Sequence, residues 1–132
     1  MRLLRCIGFS IALSLLVTLS AIADNTPRSE SADSWGWGSY GAIAYSPSAG
    51  RHGLSWDWGT LWEAQNVALG NCGQWDCAIA VWARNACAVL AVPYYNRALY
   101  GWGVGGNYAI ALQNAMMNCP GPCFLQAWIC SF

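Results

Sequence analysis

Apolar residues recur with two different periods along this chain, and the two periods alternate in a regular order. Short alternating or wholly apolar runs predict strands, whereas apolar positions three and four residues apart predict helices. The predicted strands cover 41–45, 54–58, 78–84, 88–92, 99–102 and 124–130, and the predicted helices begin at about 61 and about 108. Each half of the chain therefore reads strand, strand, helix, strand.

Both predicted helices carry further signals. The first begins at Thr60-Leu61-Trp62-Glu63, a capping box in which the threonine and the glutamate each satisfy a free backbone N–H of the first turn. In the second helix, five apolar residues form one stripe that we expect to pack on a sheet. They are Tyr108, Ala111, Leu112, Ala115 and Met116.

The two halves also resemble each other in sequence. EAQNVALGNC at 63–72 aligns with IALQNAMMNC at 110–119, so that both helices end in Asn-Cys, and Trp56 aligns with Trp102. A repeat of this length is an architectural signal. It predicts a duplicated β-β-α-β unit, with halves at about 41–87 and 88–132.

Two such units, related by a pseudo-two-fold axis, can close six strands into a small barrel flanked by two helices. Closure would leave no exposed sheet edge, which is why we expect a barrel. An open sheet with both helices on one face is the alternative. The predicted fold class is therefore α+β, in a single domain at 35–132 that is stapled by disulfides.

The N-terminal residues 1–23 have the pattern of a secretory signal peptide. Arg2 and Arg5 precede an apolar run at 7–19, and Ala21-Ile22-Ala23 forms a small-residue cleavage site. A membrane span usually needs about 20 apolar residues, so cleavage is the better interpretation. We expect a flexible segment at 24–34 and a mature protein that is periplasmic or secreted and does not span a membrane.

The cysteine count fits an exported, oxidised protein. The chain has seven cysteines, and those that follow Cys6 of the signal peptide form an even set, which is typical of disulfides outside the cytoplasm. We find no C-x-x-C redox motif and no zinc-type spacing, and we expect no metal. Sequence alone leaves the pairing open, but the two similar halves suggest Cys72 with Cys77, Cys119 with Cys123, and Cys87 with Cys130.

Charge and motifs argue against several functions. Basic residues are few and scattered, whereas a nucleic-acid-binding surface is clustered and basic. GWGVGG at 101–106 fits the G-x-G-x-x-G of dinucleotide-binding proteins, yet no acid follows Asp76 to hold a ribose, so we interpret it as a turn and expect no cofactor. His52 lies in SAGRHG, which reads as a loop. Asp57 and Glu63 are the acids available to a hydrolase, but they are weak evidence for an enzyme.

All nine tryptophans follow the signal peptide, and they are too many for a domain of this size to bury completely. Trp56 and Trp58 share one face of a strand because strand side chains alternate. Trp82 and Trp128 occupy matching places in the two halves, so we expect them in the core. The candidates for exposed, adhesive surface are Trp35, Trp37, Trp62 and Trp75.

Three stretches, together with two helices that end in Asn-Cys, carry a family resemblance. They are GAIAYSPSAGRHGLSWDW at 41–58, DCAIAVWARNACAVLAV at 76–92 and YGWGVG at 100–105. Over 35–130 the chain resembles the domain of unknown function 4189 family of small exported bacterial proteins. The resemblance implies export, a duplicated fold and no assigned chemistry. The second helix departs from the family pattern, since it lacks the usual Arg and Glu residues and its outer face is unusually apolar.

These observations predict a non-catalytic binding module at the cell envelope or outside the cell, of the effector, inhibitor or immunity type. Its partner is expected to be a protein or an envelope polymer. The alternative is a carbohydrate-binding module, or a hydrolase that acts on an envelope polysaccharide through Asp57 or Glu63. The expected contact surface comprises the exposed tryptophans and the outer face of the second helix, formed by Ala109, Ile110, Gln113, Asn114 and Met117.

Overall fold

A computed structural model describes residues 38–132 of the chain. Six strands and two helices follow one another in the order that the hydrophobic pattern predicts. They are β1 (Tyr40–Ser46), β2 (Arg51–Trp58), α1 (Leu61–Cys72), β3 (Ala78–Arg84), β4 (Ala86–Pro93), β5 (Gly101–Gly105), α2 (Tyr108–Asn118) and β6 (Cys123–Ser131).

The strands form two separate antiparallel sheets of three strands each, ordered β2-β1-β3 and β5-β4-β6. The first strand of each half is therefore central, and the second and third strands are the edges. The predicted six-stranded barrel is wrong, because within the described residues β2 and β3 pair only with β1, and β5 and β6 only with β4. The alternative, one open sheet with both helices on one face, is wrong as well.

One buried apolar cluster lies between the two sheets. Ile43 and Tyr45 of β1 are buried in one cluster with Leu90 and Val92 of β4. Packed sheets lie about 10 Å apart, whereas strands that share hydrogen bonds must approach to about 4.8 Å. The two sheets therefore pack face to face through this cluster, and their edge strands share no hydrogen-bonded ladder within the described residues.

A helix covers the outer face of each sheet, which gives four layers in the order helix, sheet, sheet, helix. Ala42 and Ala44 of β1 share a buried cluster with α1, and Val89 and Ala91 of β4 share one with α2. The apolar stripe predicted for α2 faces its sheet, as expected. Because β1 and β4 are covered on both faces, their sequences are almost wholly apolar.

Glycines on the second strand of each half allow the helices to approach closely. A Cβ added at Gly53 of β2 would overlap backbone atoms of α1, and one added at Gly103 of β5 would overlap backbone atoms of α2. The glycines of β5 face the helix, and Trp102 and Val104 therefore face the other way. The interpretation of 101–106 as a turn is wrong, because these glycines serve a close contact between a strand and a helix.

β2 begins earlier than predicted, at Arg51, because the chain reverses after β1 within residues 47–50. Gly50 ends this turn with a φ of 63°, a left-handed conformation that glycine adopts without steric cost. His52 consequently lies in a strand and is half-buried, so its assignment to a loop is wrong.

Three disulfides connect these elements. Cys72–Cys77 and Cys119–Cys123 each join the end of a helix to the start of the strand that follows. Cys87–Cys130 joins residues that lie directly opposite each other in β4 and β6. These are the pairs that the similarity of the two halves suggests.

Candidate binding grooves

Every tryptophan in the described part of the chain is substantially exposed to solvent. The exposed fraction ranges from 37% at Trp58 to 89% at Trp75. The expectation that Trp82 and Trp128 lie in the core is wrong, since they are 45% and 49% exposed. Large apolar patches on the surface of a small protein mark sites of interaction.

The placement of the helices explains the exposure of Trp82 and Trp128. α1 packs mainly on β1 and β2, and α2 packs mainly on β4 and β5, so the third strand of each half has little helical cover. Val81 on the inner face of β3 is buried, whereas Trp82 stands on the outer face. There the Trp82 ring lies 6.5 Å from the Tyr40 ring, and the Trp128 ring lies 4.9 Å from the Tyr108 ring.

The edges of the two sheets lie near each other along two seams, one between β3 and β5 and one between β2 and β6. Each seam contains an apolar groove. The β3–β5 groove has a volume of about 250 Å³ and is lined by Ala80, Val81, Trp82 and Trp102. The β2–β6 groove has a volume of about 450 Å³ and is lined by Leu54, Trp56, Trp128, Ile129 and Cys130. Each groove thus contains two tryptophans, one from each sheet.

The two grooves are equivalent to each other, because each lies between the second strand of one half and the third strand of the other half. Nδ2 of Asn71 in α1 donates to the carbonyl oxygen of Leu54 at 2.9 Å, and Nδ2 of Asn118 in α2 donates to that of Trp102 at 3.0 Å. Trp102 therefore corresponds to Leu54, and its alignment with Trp56 is wrong. A slip of two residues keeps every side chain on its face of the strand, so the alternation of residues does not reveal the error.

Polar side chains bridge the β2–β6 seam at one end. The amide nitrogen of Gln126 in β6 lies 2.9 Å from Nδ1 of His52 in β2 and 3.3 Å from the carbonyl oxygen of Gly50. The amide has two hydrogens, one for each acceptor, so the neutral His52 ring carries its own hydrogen on Nε2. Burial lowers the pKa of His52 below its ordinary value of 6.5, which favours this neutral form.

A second polar cluster joins the ends of β2 and β6 at the opposite end of the same seam. Ser131 is completely buried, and its Oγ accepts from the backbone N–H of Asp57 at 2.8 Å and lies 2.6 Å from Oγ of Ser39. The Ser39 hydroxyl donates to Oδ1 of Asp57 at 3.0 Å, so the Ser131 hydroxyl is the donor toward Ser39. Asp57 has a φ of 59°, which aspartate tolerates better than most residues. Because it accepts from the Ser39 hydroxyl, the Asp57 carboxylate has a structural role at this end of the seam.

The two other acidic residues that the structure describes, Glu63 and Asp76, lie beside groups that their local structure requires. Glu63 lies in the first turn of α1, where its backbone N–H donates to Oγ1 of Thr60 at 3.2 Å. Asp76 accepts from the Ser46 hydroxyl and from the backbone N–H of Ser48, and the hydrogen bond from Ser46 is the main cause that lowers the pKa of Asp76. Within residues 38–132, no group of three or more His, Cys, Asp and Glu residues is placed to hold a metal ion.

Of the contact residues predicted from the sequence, those within residues 38–132 line neither groove. The exposed ones are Trp62, Trp75, Ala109, Ile110, Gln113 and Met117. Asn114 is half-buried, and its Nδ2 donates to the carbonyl oxygen of Val104 at 2.9 Å, a contact that holds α2 on β5. Trp35 and Trp37 lie outside the described residues. A role of these residues in binding stays a prediction.

The sequence pattern predicts Trp82 and Trp128 in the core and gives the other groove residues no role in binding. A signal for them was present, because the second and third strands of both halves carry tryptophan beside small residues. Only the arrangement of two stacked sheets shows that these tryptophans meet in pairs.

The fold and the grooves define a small, disulfide-stapled α+β domain with a tryptophan-rich apolar surface. The helices within residues 38–132 are too short, or too polar, to cross a membrane. The family model described as "Domain of unknown function (DUF4189)" matches residues 40–130, and the chain belongs to this family. The resemblance drawn from its motifs is thereby confirmed.

Two relatives from Mycobacterium tuberculosis show how far the similarity extends. Protein Rv1269c is 36% identical over 92 residues, which are 70% of this chain and 69% of that protein. Uncharacterized protein Rv1813c is 35% identical over 92 residues, which are 70% of this chain and 60% of that protein. The NMR structure of Rv1813c matches this fold with a TM-score of 0.55 at 33% identity, over 70% of this chain and 74% of that chain. None of these names states an activity.

Proposed function

We propose that the protein is an exported, non-catalytic binding domain whose two tryptophan-lined grooves take up apolar segments of a protein partner. The observation that carries this proposal is the exposure of all seven described tryptophans, four of which line the grooves. Burying an indole ring stabilises a fold, so a fold that leaves this many exposed has kept them for another purpose. Tryptophan is enriched among the residues that dominate binding energy at protein interfaces.

The lining of the grooves favours a peptide over a glycan. Both grooves are lined by aliphatic and tryptophan side chains, with one disulfide cysteine, Cys130, in the larger. Sugar hydroxyls buried against such a lining would lose hydrogen bonds to water and gain few in return. Apolar side chains of a peptide make no hydrogen bonds to water, so their burial against this lining loses none.

Unpaired sheet edges supply the backbone groups that an extended peptide needs. Each of the four strands along the seams pairs on one side only within the described residues. Such an edge presents N–H and C=O groups that can template another strand. A peptide that adds to one edge would direct alternate side chains into the neighbouring groove, the mode known as β-strand addition.

Export and duplication belong to the same proposal. The three disulfides support export, because such bonds persist outside the reducing cytoplasm. The identical strand order of the two sheets supports a duplicated β-β-α-β unit. We assign the protein to the periplasm or the medium, in an effector, inhibitor or immunity role. The outer face of α2, with Trp62 and Trp75, is a second surface for a large partner.

A random peptide library displayed on phage tests this function with the purified, oxidised full chain as bait. We expect selected peptides to be rich in apolar and aromatic residues. Trp82→Ala or Trp128→Ala should weaken their binding by about tenfold or more, since such anchors contribute about 2 kcal/mol. Tyr94→Ala is the matched control, because Tyr94 is an exposed aromatic residue that lines neither groove and lies outside the second surface.

Two results would overturn the proposal. In the first, the selected peptides bind all three variants as well as the wild-type protein. In the second, no peptide is enriched, and soluble fragments of an envelope polysaccharide quench the tryptophan fluorescence in a saturable way. The second result would establish the carbohydrate-binding alternative.

A further inference from the structure

We propose that His52 and Gln126 form an acid-sensitive latch across the β2–β6 seam, which holds the β2–β6 groove in shape at neutral pH and releases it when His52 is protonated. The inference adds regulation to one of the two proposed binding grooves. It rests on the proposed function for its biological meaning, whereas its chemistry and its test need no partner.

The latch lies at the end of the groove. His52, Leu54 and Trp56 alternate along β2, so their side chains share one face of the strand. Leu54 and Trp56 line the groove, and His52 is the next position on that face toward the turn. A change at His52 therefore acts on the wall of the groove two residues away.

A β-bulge directs Gln126 toward the other sheet. The register of β6 steps from Ala127 to Leu125 opposite consecutive residues of β4, so Gln126 is the extra residue. Bulges re-aim a side chain in this way. β3 has the equivalent bulge at Ala80, which lines the other groove, but an alanine cannot bridge a seam. The latch is therefore present in one groove and absent from its counterpart.

Protonation of His52 removes the acceptor on which the latch depends. Nδ1 of the neutral ring accepts one hydrogen of the Gln126 amide, and the other hydrogen goes to the Gly50 carbonyl oxygen. A proton on Nδ1 makes it a donor that faces another donor. If the amide turns to present its oxygen, that oxygen faces the Gly50 carbonyl oxygen, which has no hydrogen to give. At least one of the two bonds across the seam must break.

Burial is the cause that shifts the pKa of His52, and the charged and titratable groups that surround it are few. Tyr45 lies opposite on β1 and donates its hydroxyl to the carbonyl oxygen of Arg97. Arg51 precedes His52 in the strand, and Asp76 and Arg97 hold the turn between β1 and β2. β6 carries no charged side chain, and α1, on the other face of β2, carries one glutamate in its first turn. Burial lowers the pKa of His52, so release occurs below pH 6.5.

NMR of the purified, oxidised full chain from about pH 8 to about pH 5 tests the latch. We expect the imidazole of His52 to titrate below 6.5 and the indole N–H signals of Trp56 and Trp128 to move with the same midpoint. The indoles of Trp82 and Trp102, in the groove without a latch, should not follow. Indole signals of the β2–β6 groove that stay fixed while His52 titrates would overturn the proposal.

Two variants separate the latch from a general effect of acid. His52→Asn keeps a side-chain acceptor close to the position of Nδ1 but cannot titrate, and Gln126→Met removes the bridge while His52 still titrates. In both variants, the pH-dependent movement of the Trp56 and Trp128 indoles should disappear. If it persists in either folded variant, the latch does not control the groove.

Discussion

Replacing Gly103 by alanine should destabilise the protein strongly, because α2 lies directly on this position of β5. The added Cβ would overlap the carbonyl oxygen of Ala111 and the amide nitrogen of Ala115, and it would lie 2.8 Å from the carbonyl carbon of Asn114. All three atoms belong to the helix backbone, which cannot rotate aside as a side chain does. The helix must instead move away from the sheet.

The expected loss of stability follows from two opposing effects. Alanine restricts the unfolded chain, which by itself stabilises the fold by about 0.4–1 kcal/mol. Overpacking costs about 1–3 kcal/mol, and the displacement of a whole helix puts this site at the upper end. The net loss of about 2 kcal/mol corresponds to a fall in Tm of about 8–16 °C for a domain of about 100 residues.

Thermal unfolding followed by circular dichroism, with the disulfides intact, measures this difference. Gly106→Ala is the matched control, because no atom lies within 4 Å of a Cβ built there. Its Tm should equal the wild-type value or exceed it by up to about 8 °C. If Gly103→Ala melts as high as Gly106→Ala, the direct contact between helix and strand is refuted.

Substitutions in the core and in the grooves should lower the free energy of unfolding by different amounts. Leu90→Ala empties a fully buried site between the sheets and should cost about 3–5 kcal/mol, whereas Trp82→Ala should cost about 2 kcal/mol, since half of its side chain is exposed; equal losses in urea unfolding would contradict this. Replacing Cys87 and Cys130 together by alanine opens a loop with a sequence separation of 43 and should cost about 4 kcal/mol; an unchanged urea midpoint would count against it. Because the pKa of Asp76 is lowered in the folded protein, its carboxylate stabilises the fold above pH 3.8, and this stability is lost as the pH falls through the folded pKa. Asp76→Asn should therefore lower Tm at neutral pH and have no effect in strong acid, and a difference in Tm that does not change with pH would refute that origin.

The helices and their packing faces could be predicted from the sequence because both depend on neighbours along the chain. Thr60 caps α1 by accepting from the backbone N–H of Glu63, within one turn, and the stripe of α2 recurs every three to four residues. Ala111 and Ala115 are buried against the sheet as that stripe predicts. Local signals of this kind need no knowledge of the tertiary arrangement.

The grooves could not be predicted, because they depend on which strand edges meet. Alternation places Trp82 and Val81 on opposite faces of β3, but it does not say which face a helix covers. The alternation of side chains also does not show whether the edge strands pair, so a barrel and two stacked sheets fit the same sequence pattern. Even the match of Trp102 with Leu54 is hidden, since a shift of two residues preserves the alternation.

Hydrogen–deuterium exchange of the protein with and without a selected peptide tests the binding grooves most directly. The proposed mode predicts slower exchange in the edge strands of one seam, β3 and β5 or β2 and β6, with little change in the two helices. Slower exchange confined to α2 or to the segment around Trp75, with all four edge strands unaffected, would contradict it.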